Sequence, residues 1–483
     1  MLFLLISHLS SANIYLVNTN ADAGAGSLRQ AIDDANSNPG PDKINFEIAA
    51  IDVPGRTITL LSELPVITGS LIVDGSSQLA GGYFGVSYAK IQITSDSLSY
   101  CLSILADSCE IYGLYINQFQ TGIIIESTYS KIGAIQKGNV IYGCSNSAIK
   151  IQSTDHAAIQ GNFIGIDTIE NILNSTTGNG IEVINSYAVS IGGKTLLAYN
   201  IISGNNYGVY IENSNFIDFK SNQIGTSING FTAKPNVYGI WSTGINTDIE
   251  IGGDSSLERN LISGNVLGGI YGSFTNSVIQ GNFIGTDSTG EGALGNGTTG
   301  IYFAAGSSNN LVGGSDSSKT NTIAFNGQEA IYLEDGTCQA NTFSHNKIFC
   351  NSQSVGFGGI QLNNGNGDIS PPQIPIVTST GLSGITIPNG IVEIYADDTC
   401  NWCEGKTLLA SVIANPSGTF AYTAPLSGKI TATVTDSGGN TSAFSACSDS
   451  TVQVCLVAGF TTGSTGCLDE PLPFIDQTIT EPA

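Results

Sequence analysis

A repeat of about 60 residues dominates the middle of the chain, from about 122 to 364, and constrains the fold more than any other feature. Three short phrases occur twice within each repeat, and GVYI (208–211), FIDF (216–219) and NQIG (222–225) are one copy. The asparagine that opens the third phrase returns at spacings of 60 or 61 residues in two series, Asn162, Asn222 and Asn282, and Asn200, Asn260 and Asn321. A fixed period of this kind is the signature of a solenoid.

Each phrase predicts one short β-strand. Apolar side chains alternate within a phrase, as Val209 and Ile211 do, which is the period of a strand with one buried face. Glycine and asparagine stand between the phrases, where the chain must turn and where a positive φ costs them least. Three strands and three turns in roughly 30 residues form one coil of a parallel β-helix.

The sequence motifs of the repeat resemble those of a known family. The phrases I-G-G, N-x-I-S-G-N, G-I-x-I, G-N-x-I-G-T-D and L-G-N recur over most of 122–364. They resemble the right-handed parallel β-helix repeats of large bacterial cell-surface proteins in the pectin-lyase-like superfamily. The resemblance implies an all-β, right-handed parallel β-helix, predicted over 49–372. It does not imply one function, because that superfamily includes lyases, hydrolases, epimerases and adhesin stalks.

Residues 13–48 are predicted to cap the N-terminal end of this rod, whose first coil would otherwise expose apolar side chains. Ser27 is placed to begin a helix, and Asn38-Pro39-Gly40 is placed to end it. The helix has one apolar face, formed by Leu28, Ala31, Ile32 and Ala35. The phrase GSLRQAIDDAN resembles the cap segment of the same β-helix proteins.

The two ends of the chain follow other patterns. Residues 1–12 (MLFLLISHLSSA) either are the remnant of a signal peptide or form a first strand of the mature fold. Residues 373–449 have longer alternating strands, which predict an antiparallel β-sandwich, and resemble Ig-like modules. Residues 450–483 resemble an incomplete PKD-like module that is too short to bury a core. We therefore expect either a continuation beyond 483 or a fragment.

The composition favours export and excludes some partners. The chain has 39 acidic residues against 15 Lys plus Arg, a net charge of −24, so it offers no basic patch for nucleic acid or anionic lipid. No segment approaches the roughly 18 apolar residues of a membrane span. A surface of Asn, Ser, Thr and Gly suits neutral polyols, which predicts extracellular polysaccharides or cell-surface glycans as partners. We expect a secreted or bacterial cell-surface protein.

The cysteines are predicted to form structural disulfides, because ten cysteines in an exported chain fit an oxidising compartment better than a metal site. Spacing suggests Cys101 with Cys109, Cys338 with Cys350, and Cys455 with Cys467, so we expect almost no free thiol. Cys400 and Cys403 form a C-x-x-C within the predicted sandwich, and spacing leaves Cys144 and Cys447 unassigned.

Residues for catalysis are few. Glycan-cleaving sites need paired carboxylates, or a metal-bound carboxylate group with a base. Lysines such as Lys194 and Lys220 stand singly in the sequence. Asp155 and His156, with Asp167 in the next loop, are the best candidates, and a turn on an early coil is the alternative. Asp167 and Asp287 open corresponding loops and are candidate Ca²⁺ ligands, although the third copy has Ser227. We expect no other cofactor.

Two further sets of residues suggest roles. A column of amides that hydrogen-bond from coil to coil is predicted for Asn139, Asn162, Asn200, Asn222, Asn260, Asn282 and Asn321. Tyr207, Tyr238 and Trp241 are candidates for ligand binding. The sequence therefore favours a non-catalytic stalk or adhesin, and the loops along the rod are expected to contact glycans or neighbouring cells. The alternative is a polysaccharide lyase or hydrolase with its groove along 148–303, which three or more clustered carboxylates, or carboxylates with a cation, would favour. Ice or mineral binding is a weaker third reading.

Overall fold

The computed structural model describes residues 12–38, 40–85, 87–167, 178–195, 197–352, 358–397, 400 and 403–449. The signal-peptide-like and PKD-like segments lie outside the described residues, apart from Ala12. Most of the described chain is a rod of three long parallel sheets with 12, 11 and 10 strands, and each coil after the first two contributes one strand to each sheet. This is the right-handed parallel β-helix that the repeat predicts, so the predicted fold class is confirmed.

The strands of the rod are short. The first sheet consists of Ile14–Val17, Asp42–Phe46, Leu71–Asp74, Glu110–Tyr112, Lys131–Ile132, Ala158–Ile159, Ser190–Gly192, Asp218–Lys220, Glu250–Gly252, Val278–Gln280, Leu311–Gly313 and Thr342–Ser344. The second consists of Thr57–Thr59, Ile91–Thr94, Leu114–Asn117, Val140–Tyr142, Phe163–Ile164, Ile201–Ile202, Gln223–Ile224, Leu261–Ile262, Phe283–Ile284, Thr322–Ala324 and Lys347–Phe349. The third consists of Tyr100–Ile104, Thr121–Ile125, Ser147–Gln152, Asn179–Ile184, Tyr207–Glu212, Tyr238–Thr243, Ile270–Gly272, Ile301–Phe303, Ile331–Leu333 and Ile360–Gln361.

The core is a set of columns in which the same apolar position stacks from coil to coil. In the third sheet one column is formed in register by Ile149, Ile181, Val209, Ile240, Ile270, Ile301 and Ile331. All seven side chains are fully buried. Burying one such side chain stabilises the fold by about 1.5–3 kcal/mol. The side chains between them point outward, so the same register also builds columns on the surface.

Glycine makes the sharpest corners possible. The phrase IYGLYI (111–116) reads as one strand in the sequence, but the structure divides it between the first and second sheets at Gly113, whose φ is +63°. A Cβ at Gly113 would collide with the backbone nitrogen of Ser76 in the previous coil. Only glycine combines this φ with so close an approach of two backbones.

A short helix, Leu28–Asn36, covers the N-terminal end of the rod, as predicted. Ser27 is its N-cap, and the Ser27 hydroxyl accepts a hydrogen bond from the backbone N–H of Gln30 at 3.2 Å. The apolar face named from the sequence is buried and joins the core of the first coils. Short 3₁₀ turns at Pro54–Arg56, Gly75–Ser77 and Gly365–Asp368 complete the helical elements of the described residues.

A β-sandwich follows the rod. One sheet contains Gln373–Thr378, Gly381–Ile385 and Thr419–Tyr422, and the other contains Ile391–Ala396, Thr407–Ile413, Lys429–Thr435 and Ser448–Asp449. All pairs are antiparallel, and the two sheets share a core that includes Val392, Phe420 and Val434. The Ig-like resemblance and the domain boundary at 372/373 stay predictions.

The sandwich covers the C-terminal end of the rod. The strand Lys429–Thr435 is followed by a turn that reaches the last strand of the first sheet. The Thr342 hydroxyl donates to the Gly439 carbonyl at 2.8 Å, and the Phe343 N–H donates to Thr441 Oγ1 at 2.9 Å. This edge strand therefore has partners, which solenoids require at their ends.

Two disulfide bonds lie at this junction and within the sandwich. Cys350, after the last strand of the second sheet, is bonded to Cys400, and Cys403 is bonded to Cys447. The Cα atoms are 5.3 and 5.5 Å apart, within the usual range. The first disulfide links the rod covalently to the sandwich.

These bonds correct the pairs predicted from spacing. The structure does not join Cys101 to Cys109 or Cys338 to Cys350, and free buried thiols occur at Cys101, Cys109, Cys144 and Cys338. The physical reason is that these four side chains belong to the apolar core of the rod, whereas Cys350 lies at its end against the sandwich. Cys455 and Cys467 lie outside the described residues.

Asparagine side chains form continuous rows inside two corners of the rod. In the first row each Nδ2 donates to the Oδ1 of the next coil at 2.9–3.1 Å, through Asn139, Asn162, Asn200, Asn222, Asn260, Asn282, Asn321 and Asn346. The sequence analysis missed a second row, formed by Asn205, Asn236, Asn265, Asn296, Asn326 and Asn351. Both rows are buried, so they satisfy backbone groups that water does not reach.

Candidate functional site

An aromatic column runs along the outer face of the third sheet. Its rings occupy the third residue of the phrases GVYI, GIWS, GIYG, GIYF and AIYL, and register places them on neighbouring strands as Tyr210, Trp241, Tyr271, Tyr302 and Tyr332. The centroids of Trp241 and Tyr271 are 4.2 Å apart with their planes 8° from parallel. Tyr271 to Tyr302 is also 4.2 Å, and Tyr302 to Tyr332 is 4.8 Å.

This stacking decides what the column offers to a ligand. The faces of the inner rings are covered by one another, so the column presents ring edges and phenol hydroxyls rather than open faces. Burial, together with neighbouring Tyr271 and Glu334, raises the pKa of Tyr302, so its hydroxyl stays protonated. A row of neutral hydroxyls that both donate and accept hydrogen bonds is the result.

A second, parallel column lies at the edge of the same sheet and includes two of the predicted binding residues. Tyr207 and Tyr238 pair across neighbouring strands, and Tyr238 meets Trp241 edge to face at 4.7 Å. The next coil has no aromatic side chain in this column, because Gly268 occupies the position of Tyr238. A Cβ on Gly268 would lie 3.3 Å from the Tyr238 ring, so the ring leans over the glycine.

A groove of about 330 Å³ opens where the aromatic side chain is missing. Its floor and walls are formed by Tyr238, Gly268, Tyr271, Thr298, Thr299, Tyr302, Gln328, Glu329 and Tyr332. The volume is at the lower end of the range of small-molecule sites, about 300–1,000 Å³. Rings on the sides and hydroxyl, amide and carboxyl groups on the floor give a lining that suits a polyol.

Glu329 is the most unusual residue of the groove. Only 3% of its surface is exposed, yet it carries a carboxyl group. The Thr299 hydroxyl donates to Glu329 Oε2 at 3.4 Å. Burial raises the pKa of Glu329, and the hydrogen bonds that it accepts only partly offset this.

The predicted catalytic residues are not brought together. Asp155 and His156 lie at a corner between the third and first sheets, whereas Asp167 follows a strand of the second sheet. His156 has a φ of +59° and stacks on Tyr129 with centroids 4.8 Å apart. Tyr187 and Phe216 continue this row of rings on the next coils. His156 therefore belongs to a stacked corner of the rod, and its catalytic role stays an untested prediction.

The candidate calcium ligands differ in surroundings. Asp287 Oδ1 accepts hydrogen bonds from the N–H groups of Thr289 and Gly292, at 3.0 and 3.2 Å, within its own loop. These bonds and that of the Thr289 hydroxyl outweigh desolvation and lower the pKa of Asp287. Ser227 accepts the equivalent backbone bond from Thr232 in the third copy, which explains how Ser replaces Asp there. Asp167 is buried, and most of the loop that follows it lies outside the described residues.

Sequence reasoning missed a charged cluster on the first sheet. Lys220, which is buried, lies 3.1 Å from Glu250 and 3.4 Å from Glu258, and Lys194 lies 2.9 Å from Glu258. The lysines that stand singly in the sequence therefore converge, because their coils are neighbours. Asp218 is the register partner of Glu250 and completes a set of three carboxylates and two cations.

The surroundings of this cluster shift the pKa values of two of its carboxyl groups in opposite directions. Burial raises the pKa of Asp218, and the nearby Glu250 adds to this effect against the opposing effect of Lys220. Glu258 is held ionised, with its pKa lowered to about 2, since the two lysines outweigh its burial. The cluster therefore combines a carboxyl group whose pKa is raised with one that stays ionised.

Metal ligands converge elsewhere in the described chain. Asp397, Cys403 and Cys447 are the one group of three potential ligand side chains found among the described residues. Cys403 and Cys447 are joined in a disulfide, so they offer no thiolate to a metal. No helix within the described ranges is long and apolar enough to cross a membrane.

Comparison with known proteins gives only distant likenesses. No protein-family model matches the sequence, and no curated protein matches it. Among solved structures, ORF18 of Geobacillus virus E2 is 11% identical, with 97% of this chain and 80% of that chain covered and a TM-score of 0.32. An alginate lyase from Paenibacillus sp. str. FPU-7 is 14% identical, with 73% and 99% covered and a TM-score of 0.28.

A third solved structure is PfbA, a surface adhesin of Streptococcus pneumoniae. It is 12% identical, with 90% of this chain and 98% of that chain covered and a TM-score of 0.26. Likenesses at this level do not show a function for this chain.

Proposed function

We propose that the chain is a non-catalytic β-helix protein of the cell surface or extracellular medium that binds glycans through the groove beside the aromatic column. The observation that carries the proposal is the groove itself, where Gly268 replaces an aromatic residue and leaves about 330 Å³ between Tyr238 and the ring edges of Tyr271 and Tyr302. Sugars present hydroxyl groups around a partly apolar ring, and this lining offers partners for both.

The cellular location rests on a separate observation. Disulfide bonds form and persist in oxidising compartments. Cys350–Cys400 and Cys403–Cys447 are such bonds, and the first links the rod to the sandwich. These disulfide bonds support export. The acidic surface, rich in Asn and Ser, favours solubility.

The experiment that tests glycan binding fills the groove without removing any side chain from it. The full chain is first applied to a polysaccharide array, and Gly268→Leu is then compared with wild type on every glycan that is bound. A side chain at Gly268 must occupy the floor, since its Cβ already lies 3.3 Å from Tyr238 and 3.5 Å from the Thr299 carbonyl. We expect a loss of affinity of tenfold or more.

Gly82→Leu is the matched control. Gly82 is exposed, and a Cβ there meets nothing within 4 Å, so the same substitution adds a leucine in open space. Wild-type affinity is expected for this control. Equal binding by Gly268→Leu and wild type, with both variants folded, would show that the glycan binds outside the groove. Binding of no glycan by wild type would contradict the proposal itself.

Carbohydrate cleavage is the second candidate, because Asp218, Glu250 and Glu258 cluster with Lys194 and Lys220 on one face. It is tested by incubating bound polysaccharides with the protein and measuring new reducing ends and unsaturated products. We expect no release. Release that is abolished by Asp218→Asn or Glu250→Gln, but retained in Gly268→Leu, would make the first sheet the active site.

A further inference from the structure

Glu329 occupies a fixed place on the floor of the groove. Gly268, Thr299 and Glu329 occupy the same position just before neighbouring strands, at the edge of the third sheet. The Gly269 N–H donates to the Thr299 carbonyl at 3.1 Å, and the Gly300 N–H donates to the Glu329 carbonyl at 2.9 Å. The three residues therefore lie on successive coils, about 4.8 Å apart. A ligand that lies along the groove passes over all of them.

A second carboxylate, that of Glu334, lies near Tyr271 and Tyr302 but does not line the groove. Glu334 follows the strand that carries Tyr332, and its Oε2 accepts a hydrogen bond from the Ala305 N–H at 2.8 Å. Its charge helps to raise the pKa values of Tyr271 and Tyr302, after the larger effect of burial. The field of Glu334 therefore makes the electrostatic potential at the hydroxyls of Tyr271 and Tyr302 negative.

No positive side chain balances this field within the groove. The nine residues that line it, all in the described part of the chain, are four tyrosines, two threonines, one glycine, one glutamine and Glu329. A carboxylate brought into a partly enclosed groove beside another, with no cation between them, is strongly disfavoured. Hydroxyl groups are favoured instead, because a carboxylate accepts hydrogen bonds from them.

We infer that Glu329 makes the groove selective for neutral, hydroxyl-rich glycans and excludes uronate-containing polymers. The inference rests on the proposed function, since it names the ligand class of the same groove. At pH values above its raised pKa, Glu329 acts on the ligand directly, as an acceptor for sugar hydroxyls and as a charge that repels sugar carboxylates. The overall charge of −24 acts in the same direction at longer range.

The experiment compares ligands that differ only in charge. Polygalacturonate and alginate are tested before and after chemical reduction of their carboxyl groups to alcohols, beside the neutral polysaccharides galactomannan and xylan. Affinities are measured by calorimetry for wild type, for Glu329→Gln and for Glu182→Gln. Glu182 is the matched control, because it lies on the outer face of the same sheet but does not line the groove.

We expect wild type and Glu182→Gln to bind the tightest neutral ligand at least tenfold more tightly than either native polyuronate. Glu329→Gln is expected to reduce this ratio to threefold or less, mainly by tighter uronate binding. A ratio unchanged by Glu329→Gln, or a wild-type preference for native polyuronate, would overturn the selectivity but leave glycan binding intact. Binding of no probe by wild type would instead contradict the proposed function.

A second measurement needs no variant. Raising NaCl from about 0.02 M to about 0.5 M shortens the range of charge repulsion. The affinity of wild type for native polyuronate is expected to rise at least threefold relative to that for the reduced polymer. A constant ratio would show that charge does not set the preference and would overturn the inference even if Glu329→Gln fails to fold.

Discussion

Asn222 donates a 3.1 Å hydrogen bond from its Nδ2 to Oδ1 of Asn260, although 38 residues separate them along the chain. The other Nδ2 hydrogen of Asn222 goes to the Ile191 carbonyl at 2.8 Å. Oδ1 of Asn222 in turn accepts from Nδ2 of Asn200 at 2.9 Å. A period of two coils in the sequence thus becomes an unbroken buried row of amides, in which each side chain both donates and accepts.

Asn222→Ala is expected to destabilise the rod. It leaves the Ile191 carbonyl, Asn260 Oδ1 and Asn200 Nδ2 each without a bond that the structure has, and each lost bond to a buried group costs about 1–3 kcal/mol. We expect a loss of about 3–5 kcal/mol, read as a lower urea midpoint or melting temperature. Gln120→Ala, at an exposed amide, is the control and should be neutral. Unchanged stability in Asn222→Ala would mean that the row contributes nothing.

The sequence predicted the strands and corners of the rod because both depend on short-range chemistry. Alternating apolar residues, such as Val209 and Ile211, specify a buried face, and Gly or Asn specifies a turn. The C-terminal cover could not be read in this way. Its contacts join Thr342 to Gly439 and Phe343 to Thr441, almost 100 residues apart, and no local pattern relates them.

The candidate groove was predicted only in part, for a similar reason. Tyr207, Tyr238 and Trp241 attract attention as aromatic residues, and the spacing of 30 or 31 residues from Tyr210 to Tyr332 was available as a signal. The groove itself exists because Gly268 has no side chain. Its buried carboxyl group comes from Glu329, two coils later. Lys220 and Glu258 likewise meet only because their coils are neighbours.

Lys220→Met should be strongly destabilising. The Lys220 ammonium is buried between Glu250 and Glu258, and removing one partner of a buried ion pair costs about 3–5 kcal/mol because the other charge remains. Lys194→Met removes a mostly exposed partner of the same Glu258 and should cost at most about 1 kcal/mol. Chemical denaturation at pH 7 measures both. Equal effects of the two variants would contradict the importance of burial here.

The pH dependence of this cluster follows from Glu258. Its folded pKa of about 2 lies below the ordinary value of 4.5, so the stability that it contributes is complete above 4.5 and is lost as pH falls toward 2. The difference in unfolding free energy between wild type and Lys220→Met should therefore shrink across this window. A difference that stays constant from pH 5 to pH 2.5 would show that Glu258 is not the group responsible.

The four free cysteines of the rod should be unreactive until it unfolds. Burial raises the pKa of Cys109 to about 11 and that of Cys144 to about 12, and it also raises the pKa values of Cys101 and Cys338. The thiolate is the reactive form, so native protein at pH 8 should resist alkylation at all four. Peptide mapping after alkylation in denaturant should find them labelled, with Cys350–Cys400 and Cys403–Cys447 still linked. A Cys101–Cys109 linked peptide would restore the pairing predicted from spacing.

The junction between the rod and the sandwich contains a histidine and a glutamate whose pKa values are shifted in opposite directions. His345 Nδ1 lies 2.8 Å from Glu393 Oε1, and Glu393 Oε2 accepts the His345 N–H at 3.0 Å. The bond to Glu393 raises the pKa of His345 above 6.5, and Asp316 adds a smaller effect in the same direction. Burial acts to raise the pKa of Glu393, but the bonds from His345, Ser344 and Tyr395 outweigh it, and the net pKa falls below 4.5.

The junction should therefore be most stable between about pH 4.5 and 6.5. Because the folded pKa of His345 is raised, its contribution is complete below 6.5 and is lost as pH rises through that folded pKa. Glu393 has a lowered folded pKa, so its contribution is complete above 4.5 and is lost as pH falls. His345→Asn isolates the histidine, since Asn tolerates the φ of +55° at this position and does not titrate. We expect the melting temperature of wild type to fall from pH 6 to pH 9 by several degrees more than that of His345→Asn. Glu126→Gln, at an exposed carboxylate, should follow wild type, and parallel curves for wild type and His345→Asn would rule out this pair as the source of the pH dependence.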